Sequence, residues 1–328
     1  MVPELRVDPL SGHKTIVAGE RSRRPGGAPT CVAADPIDVE RDPFAEGHED
    51  RTPPELYAVR PGGGRPDSPG WTVRVVPNLY PALTPDPAPQ AGPVSPSELF
   101  VATRAVGAHE VIVNGPQSVL SLAELPREQV IAAVAVWRER MRAHAGSACA
   151  QLIVNERREA GASLPHTHAQ LYALDFVPAD VARERERAGA HATRTMGHDL
   201  LEDLVAEEVR RGERIVAIDE EAVLLAPYAS RVPFQLLLAP RKPRARFEDD
   251  GPTGAALLHE GLRRLARHLG ASPPLNLWVR TAPRGAERFC WRIDVMPRLT
   301  HLAGLELSTG VNLNIVAPED AAAALRDA

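Results

Sequence analysis

The chain predicts an α+β fold, with antiparallel sheets that carry helices packed across them and with the whole plan built twice in tandem. Three observations carry this expectation. Short Val-, Ile- and Leu-rich runs alternate with stretches of helical periodicity, and no apolar run is long enough to span a bilayer. One order of elements occurs twice. Strand His109–Asn114, helix 125–144, strand Gln151–Asn155, a loop and a strand with two histidines make the first copy. Strand Pro233–Ala239, helix Gly254–Leu269, strand Leu275–Arg280, a loop and strand Phe289–Met296 make the second. Finally, His109 and His166 lie 57 positions apart, and Phe234 and Cys290 lie 56 apart. Equal supersecondary units in one order suggest duplication. The expected domains are residues 1–190 and 191–328.

Composition narrows the function. The 328 residues are enough for two cores, and 44% apolar with 25% charged residues is the balance of a soluble globular protein. Met1 to Asp8 is charged and contains Pro, with no apolar leader, so a cytoplasmic home and no membrane contact are expected. Three distant cysteines, Cys31, Cys149 and Cys290, argue against a disulfide framework. A net charge of −5 argues against a general nucleic-acid binder. Lys14 and Lys242 are the only lysines, so the cationic chemistry belongs to Arg, which suits phosphate.

Taken in order, Thr15–Ala18 reads as a short strand that leads into Arg21, Arg23 and Arg24. That basic cluster is either a solvated charge run or a phosphate clamp. Residues 25–70 are rich in Pro, Gly and charge and read as an irregular excursion. Trp71–Pro77 alternates as a strand and runs into Asn78. Residues 84–96 are a Pro-rich linker, and Leu99–Thr103 reads as a strand. The helix from Leu125 to His144 places Val130, Ile131, Val134, Trp137 and Met141 at helical spacing, which marks core. From Pro178 the chain turns charged and helical, and Pro318–Ala328 is a short terminal helix.

The chemistry concentrates in Gly161-Ala162-Ser163-Leu164-Pro165-His166-Thr167-His168-Ala169-Gln170-Leu171-Tyr172. On an extended backbone His166, His168 and Gln170 share one face. A packed sheet gains nothing from such a polar row. It is a solvated strand face, a metal pair, or a nucleophilic imidazole beside a phosphate-cradling loop. Small residues at 161–163 let backbone N–H groups approach phosphate oxygens.

The pattern Ser-x-x-His-x-His-x-Gln resembles the active-site motif of the galactose-1-phosphate uridylyltransferase family in the histidine-triad superfamily. The resemblance is collinear over nearly the whole chain. It implies two histidine-triad-like units, with His168 as nucleophile, Gln170 on the phosphoryl oxygens and His166 bracing the motif. It implies substrate contacts at Arg21, Arg24, Asn78, Asn155 and Ser163. Pro297 to Asn312 resembles the family's hexose loop, with Glu306 and Asn312 at its polar positions, reaching a neighbouring subunit's site and so implying a homodimer. Where the family carries a Cys pair for structural zinc, this chain has Asp42 and Ala45. A zinc site from Asp42, His109 and His166, with His48 as a further donor, stands beside a metal-free loop as alternatives. Cys290-Trp291-Arg292 replaces the His-Trp-His of iron-binding members, so no iron is expected, and Glu184 becomes a surface carboxylate.

The implied reaction exchanges UMP between UDP-glucose and a hexose 1-phosphate, galactose 1-phosphate above all, through a nucleotidyl-histidine. An adenylyl transferase or phosphorylase acting on an ADP-sugar or dinucleoside polyphosphate is the alternative within the same chemistry. A non-catalytic nucleotide binder and a zinc-dependent structural module are the alternatives outside it.

Overall fold

The computed structural model describes residues 2–23, 29–85, 99–286 and 288–328. In chain order the strands are β1 (Glu4–Val7), β2 (Lys14–Val17), β3 (Tyr57–Val59), β4 (Val73–Pro77), β5 (Gly107–Val113), β6 (Cys149–Glu156), β7 (His168–Leu174), β8 (Ile215–Ile218), β9 (Ala222–Leu225), β10 (Leu236–Pro240), β11 (Leu275–Arg280), β12 (Arg292–Pro297) and β13 (Asn312–Asn314). The helices are α1 (Arg127–Ala143), α2 (Ala179–Arg194), α3 (Leu200–Arg211), α4 (Ala255–Leu269), α5 (Gly304–Thr309) and α6 (Pro318–Arg326).

Ten strands form one sheet in the order β3-β4-β5-β7-β6-β11-β12-β10-β9-β8. Read inward from either edge, the order repeats: β3-β4-β5-β7-β6 and β8-β9-β10-β12-β11. All the neighbouring pairs in it are antiparallel. The halves meet where β6 pairs with β11, with Asn155 opposite Asn276 and Val154 opposite Leu277. Register makes the repeat residue-specific. Ala169 pairs with Ile112 and Val154, while Ile293 pairs with Leu238 and Val279. His168 and Gln170 therefore correspond to Arg292 and Asp294.

Helices α1 and α4 cover one face. Val130, Val134, Trp137 and Met141 from α1 join Leu258, Leu262 and Leu265 from α4 in one buried core with Leu171, Leu277 and Val295 of the sheet. That alternation decides what the other face carries. Ala169 and Leu171 point into the core, so His168, Gln170 and Tyr172 point away from it. A separate three-stranded sheet, β1-β2-β13, stands apart from the large one.

Four expectations change. Leu99–Thr103 forms no strand; a lone bridge at Phe100 is its regular feature. The motif strand begins at His168, which leaves His166 in the preceding loop. Strands β8 and β9 lie in a stretch read as helical, because four-residue strands are too short to show a period of two. Glu184 is buried at 6% exposure, where it pairs with Arg292 at 3.0 Å and Arg280 at 3.4 Å. A carboxylate tied to two guanidiniums off different strands cannot be told from a solvated one in sequence. Arg24 and residues 86–96 of the Pro-rich tract lie outside the described residues.

Candidate active site

His168 opens β7 and is buried at 5% exposure. Its Nδ1 lies 2.7 Å from the His166 carbonyl oxygen. A carbonyl only accepts, so Nδ1 carries the proton and Nε2 keeps its lone pair. Burial holds the His168 pKa below the ordinary value, against the opposing pull of the His166 carbonyl. The ring is therefore a neutral imidazole at neutral pH, with Nε2 as its free lone pair. It lines a cleft of about 420 Å³ with Phe44, Pro53, Asn78, Tyr80, Ser163 and Gln170. The Phe44 ring stands edge-on to it at 5.3 Å.

Gln170, next on the same face, is oriented by two neighbours. Its Oε1 accepts from Tyr172 Oη at 3.0 Å and faces His109 Nε2 at 3.0 Å. His109 Nδ1 accepts from the Ala82 amide at 3.2 Å, so His109 Nε2 carries the proton and donates. With its carbonyl held twice, Gln170, which lines the cleft, has its NH₂ group left to donate. His109 also stacks on Tyr172 at 4.0 Å, and burial lowers its pKa despite the Gln170 contact. Asn78, beside His109, accepts from the Tyr80 amide through Oδ1 at 2.8 Å.

His166 is fully buried. Its Nε2 faces the Gly115 carbonyl at 2.8 Å and its Nδ1 faces Asp42 Oδ2 at 2.7 Å. Ser118 Oγ donates to the same Asp42 oxygen at 2.8 Å, and the Phe44 amide donates to the other at 3.0 Å. Burial would raise the Asp42 pKa, but His166 and these donors outweigh it and hold the carboxyl below its usual range. The peptide between the histidines is clamped as well. Thr167 N donates to the Val119 carbonyl, and Asn114 Nδ2 donates to Thr167 Oγ1 at 3.2 Å.

The structure does not bring Asp42, His109 and His166 together as a zinc site. His109 serves Gln170, while Asp42 and His166 serve each other. Among the described residues no group of three His, Cys, Asp or Glu side chains could hold a metal. His48 instead places Nδ1 2.7 Å from the Asp42 backbone carbonyl. A metal ligand needs a free lone pair, and both His166 nitrogens face oxygen acceptors. The residues present do not fit the ion.

Other expected contacts lie elsewhere. Arg21 is exposed in the middle of the 3₁₀ turn Gly19–Arg23. Asn155 Oδ1 accepts from Asn276 Nδ2 at 2.8 Å across the β6–β11 seam. Glu306 caps its own helix, accepting from the Ala303 amide at 2.9 Å. Asn312 Nδ2 reaches the Lys14 carbonyl at 3.4 Å. None of the four lines the His168 cleft. Ser163 does, and it also borders a second cleft of about 410 Å³ with Arg157, Arg158 and Glu159. The parts played by Phe44, Tyr172 and Ser118 beside the two histidines and Gln170 go beyond the sequence motif. Tyr172 alone had a signal, since it continues the two-residue period of His168 and Gln170.

An imidazole with one nitrogen committed to a carbonyl, on the wall of a cleft beside an amide side chain, is an arrangement capable of group transfer, the chemistry expected of the histidine-triad superfamily. Within that superfamily the chain belongs to the galactose-1-phosphate uridylyltransferase family. The family profile described as galactose-1-phosphate uridyl transferase, N-terminal domain, matches residues 1–178. A second profile, described as a domain of unknown function (DUF4921), matches residues 134–327. The chain is 28% identical over 346 aligned positions to an ADP-glucose phosphorylase of Arabidopsis thaliana, covering 99% of this chain and 93% of that one. It is 29% identical over 249 residues to a galactose-1-phosphate uridylyltransferase of Cryptococcus neoformans, covering 72% and 62%. A crystal structure of an Arabidopsis thaliana ADP-glucose phosphorylase with bound ADP-glucose superposes with a TM-score of 0.78 at 25% identity, over 99% of both chains. The chain is thus an enzyme of the nucleotidyltransferase and phosphorylase type that this family comprises. No helix among the described residues is long and apolar enough to cross a membrane.

Proposed function

We propose that the enzyme cleaves a nucleoside diphosphate sugar, ADP-glucose first, by transferring its nucleotidyl group to His168 and then to orthophosphate. His168 Nε2 attacks the α-phosphorus, the P–O bond to the sugar phosphate breaks, and glucose 1-phosphate leaves. Orthophosphate then attacks the same phosphorus, the N–P bond breaks, and ADP forms. Two easy displacements replace one hard one, and the leaving groups need little proton transfer. The work is positioning and charge stabilisation. The observation that supports this most is the aim of His168, with Nδ1–H spent on a carbonyl and Nε2 open to a cleft beside the Gln170 amide.

The choice of adenylyl rests on a relative matched in sequence end to end, an ADP-glucose phosphorylase, whereas the match to the uridylyltransferase of Cryptococcus covers 72% of the chain. This reverses the order expected from the sequence. Uridylyl exchange between UDP-glucose and galactose 1-phosphate remains the second reading, favoured by the profile over residues 1–178. In that reading Glu306 and Asn312 would serve the cleft of the partner subunit in a homodimer.

The test is direct. ADP-glucose labelled at the α-phosphorus should transfer acid-labile label to the wild type and none to His168→Gly, and added imidazole should restore turnover to that variant. ADP-glucose with orthophosphate should turn over at least about tenfold faster than UDP-glucose with galactose 1-phosphate. The opposite preference would replace adenylyl by uridylyl. Turnover without label on the wild type would remove the covalent mechanism.

A further inference from the structure

We propose that a hydrogen-bonded Asp42–His166 pair, in place of a metal ion, braces the catalytic histidine, and that Asp42 is thereby a positioning residue for nucleotidyl transfer. The inference rests on the reading of His168 as nucleophile.

Three chain segments meet at this pair. The carboxylate comes from the excursion before β4, Gly115 and Ser118 come from the turn after β5, and His166 comes from the motif loop. A tetrahedral metal joins segments in the same manner, by directional bonds from a buried centre. Here the centre is made of protons. Asp42 is 2% exposed and His166 is 0% exposed. Between them they make four bonds of 2.7 to 3.0 Å, to each other, Gly115, Ser118 and Phe44. A metal at this point would have to displace a carbonyl or a hydroxyl and find two further ligands.

The brace reaches the reacting atom by a short path. His166 is pinned at both ring nitrogens, which fixes its backbone. Its carbonyl oxygen then takes the Nδ1–H of His168 at 2.7 Å and sets the direction of Nε2. Asp42 acts from a second side too. Its other oxygen holds the Phe44 amide, and the Phe44 ring packs edge-on against His166 at 6.2 Å and His168 at 5.3 Å. One carboxylate thus orients the nucleophile through its backbone acceptor and through the ring beside it.

The test combines metal analysis with single-turnover labelling of the full-length protein. Purified wild type should contain well below one metal ion per chain by mass spectrometry, and treatment with EDTA should change neither its melting temperature nor its labelling rate with ADP-glucose. Asp42→Asn keeps the shape and one acceptor. It should slow labelling about 10- to 100-fold, leave ADP-glucose affinity within about threefold, and melt within a few degrees of wild type. Ser118→Ala, which removes one bond to Asp42, should slow labelling a few-fold. A stoichiometric metal whose removal lowers the melting temperature or the labelling would overturn the proposal. So would wild-type labelling rates in both variants. If Asp42→Asn does not fold, Ser118→Ala and the metal measurement decide. A wild type that takes no label from ADP-glucose or UDP-glucose would defeat the proposed function instead, and the metal measurement would still judge the brace.

Discussion

Glu156, at the end of β6, is 1% exposed and forms no ion pair among the described residues. Its oxygens accept from Ser121 Oγ at 2.6 Å and the Leu122 amide at 2.7 Å. Burial pushes its pKa up to about 7, with Glu124 adding to the rise and Ser121, Leu122 and Thr167 opposing it. A carboxyl raised by folding holds its proton more tightly in the native state than in the unfolded chain. Stability is therefore highest below the unfolded value, 4.5, and falls as pH rises toward about 7. The span corresponds to about 3 kcal/mol at most. Glu156→Gln should melt higher than wild type at pH 8 and lose that advantage by pH 5, measured by thermal denaturation across the range. A difference independent of pH would show that Glu156 does not titrate there. Glu110 has the opposite sign. Burial would raise it, but His144 and Arg140 hold it down at about 2, so its contribution is present at neutral pH and is lost as pH falls below 4.5. The same contrast explains what could be read at this scale. His168 and Gln170 follow from a two-residue period, whereas the tasks of His109 and Asp42 depend on partners 61 and 124 positions away.

Elements were legible where they are long and periodic. Helices α1 and α4 and strands β5, β6 and β11 fall where the apolar spacing puts them. The short strands β1, β8, β9 and β13 give no periodic signal and exist because a neighbour offers hydrogen bonds. Close packing between elements is just as invisible. Gly261 lies inside α4 against β9, where an added Cβ would sit 2.3 Å from Leu224 Cδ2. Ala improves an isolated helix by about 1 kcal/mol over Gly. Overpacking costs about 1–3 kcal/mol, so the contact wins. Gly261→Ala should lower the melting temperature by a few degrees, while a Gly→Ala change at the uncrowded Gly189 of α2 should not lower it. Helix α5 and the loop before it make a different case, with Leu302 of the loop at 45% exposure and Leu305 and Leu307 of the helix at 42% and 74%. Wild type should sediment as a dimer, and Leu305→Asp with Leu307→Asp should yield a folded monomer. A wild type that sediments as a monomer at micromolar concentration would remove the homodimer from the proposed function.

At the scale of the molecule, the repeat and the seam pull in opposite directions. Duplicated units could fold separately, each with its own helix on its own half-sheet. The β6–β11 pairing joins them into one sheet, and the core under it contains side chains from both halves without a break. Separating the halves would expose two long edges, β6 and β11, and open that core. The cost of exposure favours cooperative loss of both units over stepwise loss. The four tryptophans let this be measured. Trp71 and Trp137 report on the first half, Trp278 and Trp291 on the second. Two variants, each with one pair changed to Phe, give each half its own fluorescence signal. Both signals should pass through the same urea midpoint, within about 0.2 M once each variant's own stability shift is removed by circular dichroism. The seam itself is tested by Leu277→Asp, which places a charge in the shared core beside Val154. That substitution should lower both midpoints together. Two separated transitions in the wild-type background, or a second-half loss that leaves Trp71 and Trp137 in their native signal, would mean that the halves are thermodynamically separate despite the continuous sheet.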